Sequence, residues 1–381
     1  MALTFLFVAV FSFLVFGCNI NLNSMSLTSS TVQAALDAEI AKCNGADQVT
    51  GYLALNDNDL TAVPVGLFDT LTQLKSQLRL DKNKLTSLPP GVFDKLTGLS
   101  FQIYLSNNKL TSLPLGLFDS LTQLTYAVFL DNNALGSLPD GVFDSLTQLK
   151  NQIRLNDNAL TSLPTGLFDS LTQLSFGLYI NNNKLRSLPS SVFASLTRLK
   201  NGLSLAVNQL ETLPSGVFES LTQLLFQLTL DNNSLKSLPS GVFSSLTQLN
   251  NAMSLNDNLL TSLPQGIFNS LTQLGNSLSL SSNRLTALPA GCFNSLTQLL
   301  VLKLYGTFQA NLTCTSPSDS ASYGGCRSIL SKSTNTLTVY YGPSYSTVLD
   351  NVPSGYTKSG TYGYRVAATA SPTTSPTTSA P

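Results

Sequence analysis

One asparagine returns every twenty-five residues along most of this chain: Asn58, Asn83, Asn108, Asn133, Asn158, Asn183, Asn208, Asn233, Asn258 and Asn283. The series Phe68 to Phe293 and Pro64 to Pro289 keep the same interval. So strict a period leaves few folds open, because a block this short cannot bury a core of its own and must lean on a similar neighbour. One block, Leu78 to Leu99, reads LRLDKNKLTSLPPGVFDKLTGL and contains L-x-L-x-x-N-x-L. Ten blocks fill Leu53 to about Leu304, which predicts a stack of ten turns.

The letters of a block follow from that stacking. In Leu78-Arg79-Leu80 the leucines are expected to point inward and Arg79 outward, since side chains alternate along a strand. Three residues on, Asn83 is placed to turn its amide inward and satisfy backbone groups of neighbouring turns, so the asparagines form a ladder. Pro89, Gly91, Val92, Phe93 and Leu96 then carry the chain along the opposite side, with the phenylalanines as a second core row.

The motifs LPxGVFDxLTQL and LxLxxNxL resemble those of secreted leucine-rich repeat proteins, and most of all the variable lymphocyte receptors of jawless fish, over about two thirds of the chain. The resemblance implies an α/β-type solenoid: a leucine-rich repeat horseshoe with a concave parallel β-sheet, an irregular or 3-10 convex side, and recognition on the concave face. The chain departs from that family in three places. Its units have an extra residue before the strand, as in Lys75-Ser76-Gln77, and only Leu300-Val301 has the shorter junction. The family's cysteine-rich N-terminal cap is replaced by a segment in which Ser30-Thr31-Val32-Gln33 reads as a capping box, opening a helix to about Cys43 with Gly45 as its stop. The tail lacks the family's Trp-containing cap motif, although Cys314 and Cys326 stand near the expected place.

Composition bears on function mainly by exclusion. The chain has no His, which removes histidine triads, His-ligated zinc and histidine pH switches. Twenty basic residues against twenty acidic ones leave no charge footprint for nucleic acid or an anionic membrane. No cofactor motif or metal site is expected. Asp57, Asp157 and Asp257 lie strands apart, roughly 19 Å for the nearest pair at ~4.8 Å per strand, too far for the paired acids of sugar hydrolases. The chain therefore reads as no enzyme.

The apolar run Ala2 to Gly17 reads as a secretory signal, with an uncleaved anchor or a lipoprotein signal ending at Cys18 as alternatives. The predicted organisation is a signal over 1–17, a helical cap over 18–52, the solenoid over 53–304, a β-rich cap over 305–369 and a Ser/Thr/Pro-rich stalk over 370–381. No membrane span is expected in the mature chain, which points to a secreted or cell-surface protein. Cys43 and Cys292 stand about ten strands apart, too far for a disulfide, which spans ~7 Å or less between Cα atoms. That leaves Cys314 with Cys326 as the expected bridge and Cys292 as a core thiol. Cys43 either pairs with a retained Cys18 or is an apolar residue of the cap helix. Asn232-Asn233-Ser234 and Asn311-Leu312-Thr313 match the N-glycosylation acceptor pattern at Asn232 and Asn311.

Function is sought where the blocks differ. The central outward column runs Ala54, Arg79, Tyr104, Phe129, Arg154, Tyr179, Ser204, Thr229, Ser254, Ser279, so bulky interface-prone residues occupy five consecutive blocks. Gln77, Gln102 and Gln152 flank them on one side, and Lys82, Asp131, Asn156, Asp157 and Asn182 on the other. The patch from Arg79 to Tyr179 is the expected binding site for a protein or glycan ligand. The bland alternative is that such residues simply favour strands and pack on one another. A second aromatic row, Phe101, Tyr126, Phe176 and Phe226, is expected to plug a widened core edge. The competing function is an adhesive or structural wall component acting by repetition, without one discrete site.

Overall fold

A strand of three residues cannot hold itself; in the computed structural model each is fixed by the same strand of the next repeat. The structure describes residues 18–304 together with three short strands at 338–340, 356–359 and 363–366. It divides into two compact units, the first running through Leu185 with Ser191–Arg198, the second comprising Arg186–Ser190 and the chain from Leu199.

In the first unit β1 (Ile20–Asn21), β2 (Leu53–Ala54), β3 (Gln77–Arg79), β4 (Gln102–Tyr104), β5 (Ala127–Phe129), β6 (Gln152–Arg154) and β7 (Gly177–Tyr179) pair in sequence order, all parallel. The register advances one repeat per strand, with Arg79 beside Tyr104, Tyr104 beside Phe129, Phe129 beside Arg154 and Arg154 beside Tyr179. In the second unit β8 (Gly202–Ser204), β9 (Gln227–Thr229), β10 (Ala252–Ser254), β11 (Ser277–Ser279) and β12 (Val301–Lys303) do the same. There β13 (Thr338–Tyr340) continues the parallel run, and β15 (Gly363–Val366) and β14 (Tyr356–Ser359) close it as antiparallel strands. Each unit is a parallel-sheet solenoid, one turn per repeat.

Away from the sheet the chain returns through short turns. Leu67 N–H donates to Pro64, Asp69 N–H to Gly66, Leu71 N–H to Phe68 and Leu74 N–H to Leu71, all at 3.0–3.2 Å, so successive i→i−3 bonds satisfy a backbone without regular helix. Gly91 shows why glycine stands in this turn. Its φ is 70°, and a Cβ there would lie 2.8 Å from Asp94 Oδ2.

Two rows fill the interior. The repeat leucines are buried, and the ten phenylalanines from Phe68 to Phe293 are each at most 2% exposed. Their rings stack at 6.0–6.5 Å from Phe68 to Phe193 and at 5.9–6.4 Å from Phe218 to Phe293. The asparagines form the expected ladder. Asn83 Nδ2 donates to Leu55 O in the preceding turn at 2.9 Å and to Leu80 O in its own at 3.1 Å, while its Oδ1 accepts from Leu60 N–H at 3.1 Å.

The N-terminal cap differs from the sequence expectation. The helix α1, Val32–Lys42, is present with Gly45 beyond it at φ 119°, and Val32, Leu36 and Cys43 are buried while Ile40 is half-buried. No capping box closes it: Thr31 is the N-cap without a side-chain cap bond, and its hydroxyl instead accepts from Thr28 N–H at 2.9 Å. The segment is also not purely helical. Ile20-Asn21-Leu22-Asn23-Ser24-Met25-Ser26-Leu27 is a degenerate repeat, with Leu22 N–H bonded to Ala54 O and Ser24 N–H to Asn56 O. Met25 stands where the ladder asparagine would be, and Asn58 reaches across to bond Leu22 O, Met25 N–H and Leu27 N–H. A disulfide joins Cys18 to Cys43, Cα atoms 5.7 Å apart, and settles which of the two roles open to Cys43 it takes. Cys292 is a free buried thiol whose pKa burial pushes up to about 12. The expected signal (1–17), the Cys314–Cys326 bridge, Asn311 and the stalk lie outside the described residues.

Candidate functional site

The five bulky outward residues of the first unit form one continuous stack. The Arg79 guanidinium lies over the Tyr104 ring at 4.8 Å, Tyr104 stacks on Phe129 at 4.5 Å and 5°, and the Arg154 guanidinium lies 5.3 Å from the Phe129 centroid and 5.7 Å from that of Tyr179. Strand spacing is the cause: parallel strands in register hold neighbouring side chains ~4.8 Å apart, close to the ideal offset for rings and flat cations. Phe129, in the middle, is only 8% exposed, so it supports its neighbours from below the surface. Tyr104 and Tyr179 are half-buried and Arg154 is exposed.

The two arginines are held differently. Arg79 is clamped by Asp81, two residues on along the same face, through Nε–Oδ1 at 3.1 Å and Nη2–Oδ2 at 3.0 Å. That hydrogen bond is the main reason the Arg79 pKa rises above its ordinary value. Arg154 has no carboxylate partner among the described residues, and its Nε donates to the buried Gln152 Oε1 at 3.3 Å. Burial raises the pKa of Tyr104 and of Tyr179, against the pull of the nearby guanidinium groups, so both phenols stay protonated at neutral pH.

Gly177 completes the arrangement. A Cβ there would meet the Tyr179 ring at 2.7 Å, so the absent side chain is what lets Tyr179 fold down over its own strand. The sequence does not single out this position, because its column holds Gln77, Gln102 and Gln152 but also small residues at Ala127, Gly202, Ala252 and Ser277. Arg79 and Asp81 stand in the sequence as an i, i+2 couple on one face, a spacing that permits their pairing without selecting it.

The polar flank splits in two. Asp131 and Asn156 stand two residues beyond their strands, and Asp131 accepts from Ser106 Oγ at 2.6 Å. Lys82, Asp157 and Asn182 stand one residue further on, in left-handed turns at φ 54–56°, where Asn182 donates to Asp157. Among the described residues no hydrogen bond, ion pair or ring contact joins these three to the aromatic stack. Asn232 occupies the same turn position in the second unit and is exposed.

The junction aromatics are not core plugs. Tyr126 is 37%, Phe176 40% and Phe226 44% exposed. Half-buried Phe101 packs against Tyr126 with ring centroids 4.5 Å apart and planes tilted by 30°. The extra junction residue is absorbed by the backbone: Ser100 N–H bonds Lys75 O and Tyr126 N–H bonds Phe101 O, so inter-turn pairing starts before the strand and turns these rings outward. No group of three or more His, Cys, Asp or Glu that could hold a metal occurs among the described residues, and no helix there is long and apolar enough to cross a membrane.

Comparison with known proteins places this geometry. A chain of the Drosophila Toll–Spatzle complex superposes with a TM-score of 0.62 at 34% identity, covering 71% of this chain and 35% of its own length. A chain of the glycosylated form of that complex gives 0.60 at 29% identity, covering 80% and 43%. The present chain thus spans less than half of either. No curated protein matches it. The leucine rich repeat profile matches residues 76–126, and the BspA type leucine rich repeat region (6 copies) matches 117–229 and 211–313. With its period, its asparagine ladder and more than half its length under those profiles, the chain belongs to the leucine-rich repeat proteins.

Proposed function

We propose that this chain is an extracellular recognition protein that binds a protein partner through the outward sheet face of its first unit. The observation that carries this reading is the stack Arg79–Tyr104–Phe129–Arg154–Tyr179, a preformed aromatic and cationic platform of the composition that dominates interface energetics. The Toll neighbour, solved as a complex with Spatzle, favours a protein over a glycan ligand. The flanking Lys82, Asp131, Asp157 and Asn182 form the polar rim. A disulfide in the cap, the apolar run over 1–17 and the acceptor sequence at Asn232 fit a secreted glycoprotein. The repeat motifs also resemble those of variable lymphocyte receptors, and on this reading the chain does no catalysis.

The test is a screen of the purified chain against protein and glycan arrays, followed by variants. Tyr104→Ala with Tyr179→Ala should cost the hit at least about tenfold in affinity, at roughly 2 kcal/mol for a hot-spot residue, while Ser254→Ala with Ser279→Ala should cost nothing. Phe129 is left intact because its burial makes it part of the fold. The pair of half-buried Phe101 and exposed Tyr126 supports a second reading, with the flank as the recognition surface. Loss of binding on Tyr126→Ala with full binding by the Tyr104/Tyr179 variant would establish it instead.

A further inference from the structure

We infer that Arg154 is a dedicated seat for a carboxylate on the ligand. The inference rests on the sheet face being the recognition surface and adds the chemistry it selects. Three observations carry it. Of the two guanidinium groups in the stack, that of Arg79 is already occupied by Asp81, whereas Arg154 has no acidic partner among the described residues. Its Nε is tied to Gln152, a buried side chain, so the orientation of the group is fixed while both terminal nitrogens are left to bond something else. It lies between two rings, Phe129 on one neighbouring strand and Tyr179 on the other, at 5.3 and 5.7 Å.

That slot decides the shape of the anion. A guanidinium presents a planar fork that matches a carboxylate through two parallel hydrogen bonds. A carboxylate bound this way is coplanar with the guanidinium. A sulfate or phosphate is tetrahedral, so its remaining oxygens project above and below that plane and need room that neighbouring rings on both sides reduce. Gly177 belongs to the same design, because Tyr179 can form its wall only over a residue without Cβ. The ring faces add a cation–π attraction that holds the guanidinium in place for a ligand charge.

The experiment uses the full chain and five probes: a short oligoglutamate peptide, an oligogalacturonate, their uncharged counterparts oligoglutamine and methyl-esterified oligogalacturonate, and a sulfated oligosaccharide. Binding is measured by calorimetry, and the Arg154 Nε–H resonance by NMR. At least one carboxylate probe is expected to bind and shift that resonance. Arg154→Gln should weaken it about tenfold, in line with a lost charge-assisted hydrogen bond. Lys109→Gln, which removes an exposed cation elsewhere, should leave it unchanged. Binding of the peptide alone assigns the carboxylate to a protein, and of the galacturonate alone to a glycan. The inference is overturned if neither acid binds, if the neutral probes bind as well, if Arg154→Gln binds as the parent does, or if a sulfated oligosaccharide is preferred over the carboxylates. A partner from the array screen that depends on Tyr104 and Tyr179 but not on Arg154 would leave the recognition face standing and remove this seat alone.

Discussion

The ladder can be tested by its most buried rung. Asn258 is 3% exposed; its Nδ2 donates to Leu230 O at 3.0 Å, Leu255 O at 3.1 Å and Asn256 O at 3.0 Å, and its Oδ1 accepts from Leu235 N–H at 3.1 Å. Asn258→Ala takes the acceptor from one buried N–H and the donor from three carbonyls. The N–H alone costs about 1–3 kcal/mol. At roughly 2–4 °C per kcal/mol for a domain this large, Tm should fall by several degrees. The control is Thr261→Ala, an exposed side chain a few residues on, expected within about 0.5 kcal/mol of the parent. Asp157 is unsuitable as a control, since its φ of 56° penalises alanine for a separate reason. Asn258→Asp separates volume from chemistry: it keeps the shape and one acceptor but sets a carboxylate against carbonyl oxygens. It should destabilise at least as much at neutral pH and recover as acid supplies the missing donor proton. Thermal melts by circular dichroism decide the matter, and equal curves for Asn258→Ala and Thr261→Ala would refute the ladder as a stabilising device.

Two further substitutions should stabilise. The Asp231 carboxyl is pushed above its usual range, chiefly by burial, and its Oδ1 has no hydrogen-bond partner. A raised folded-state pKa means the proton favours the fold and stability is lost as pH rises through it, so Asp231→Asn should raise Tm at pH 7, with the gain vanishing as the pH is lowered into the carboxyl range. Val207 holds φ 53° with 45% exposure, in a turn position that elsewhere carries Asp, Asn, Lys or Ser. Val207→Asn should add about 1 kcal/mol, read by denaturant unfolding; an unchanged midpoint would show that the turn carries no strain.

What could be read ahead of the structure followed the period. The inward leucines, the phenylalanine row, the ladder and the outward column from Arg79 to Tyr179 all follow from one block placed beside another. Where the period is broken, inference failed. Ile20 to Leu27 is a repeat in backbone terms, but Met25 in place of asparagine and a longer spacing to the next unit hid it. The apolar character of the junction aromatics suggests a place in the core, whereas the backbone pairing of Ser100 and Tyr126 turns them out. Side-chain detail within the candidate site, such as the Arg79–Asp81 clamp and the gap at Gly177, depends on contacts between specific neighbours, which a column of letters does not rank.

Within each unit the rungs of the ladder reach the same way. The asparagine serves the turn before it, as Asn83 serves Leu55 and Leu60 and as Asn58 serves the Met25 turn. A turn therefore leaves the ribosome with buried backbone groups still unpaired and is completed only by the next 25 residues of chain, with Asn83 following Asn58 at that spacing. At 5–20 residues per second that wait is on the order of one to five seconds per turn. Within each unit synthesis thus closes the fold vectorially, and in the first unit the earliest described turn is locked by the Cys18–Cys43 disulfide. A chain stalled midway carries its incomplete turn at the growing end, where a chaperone would find it.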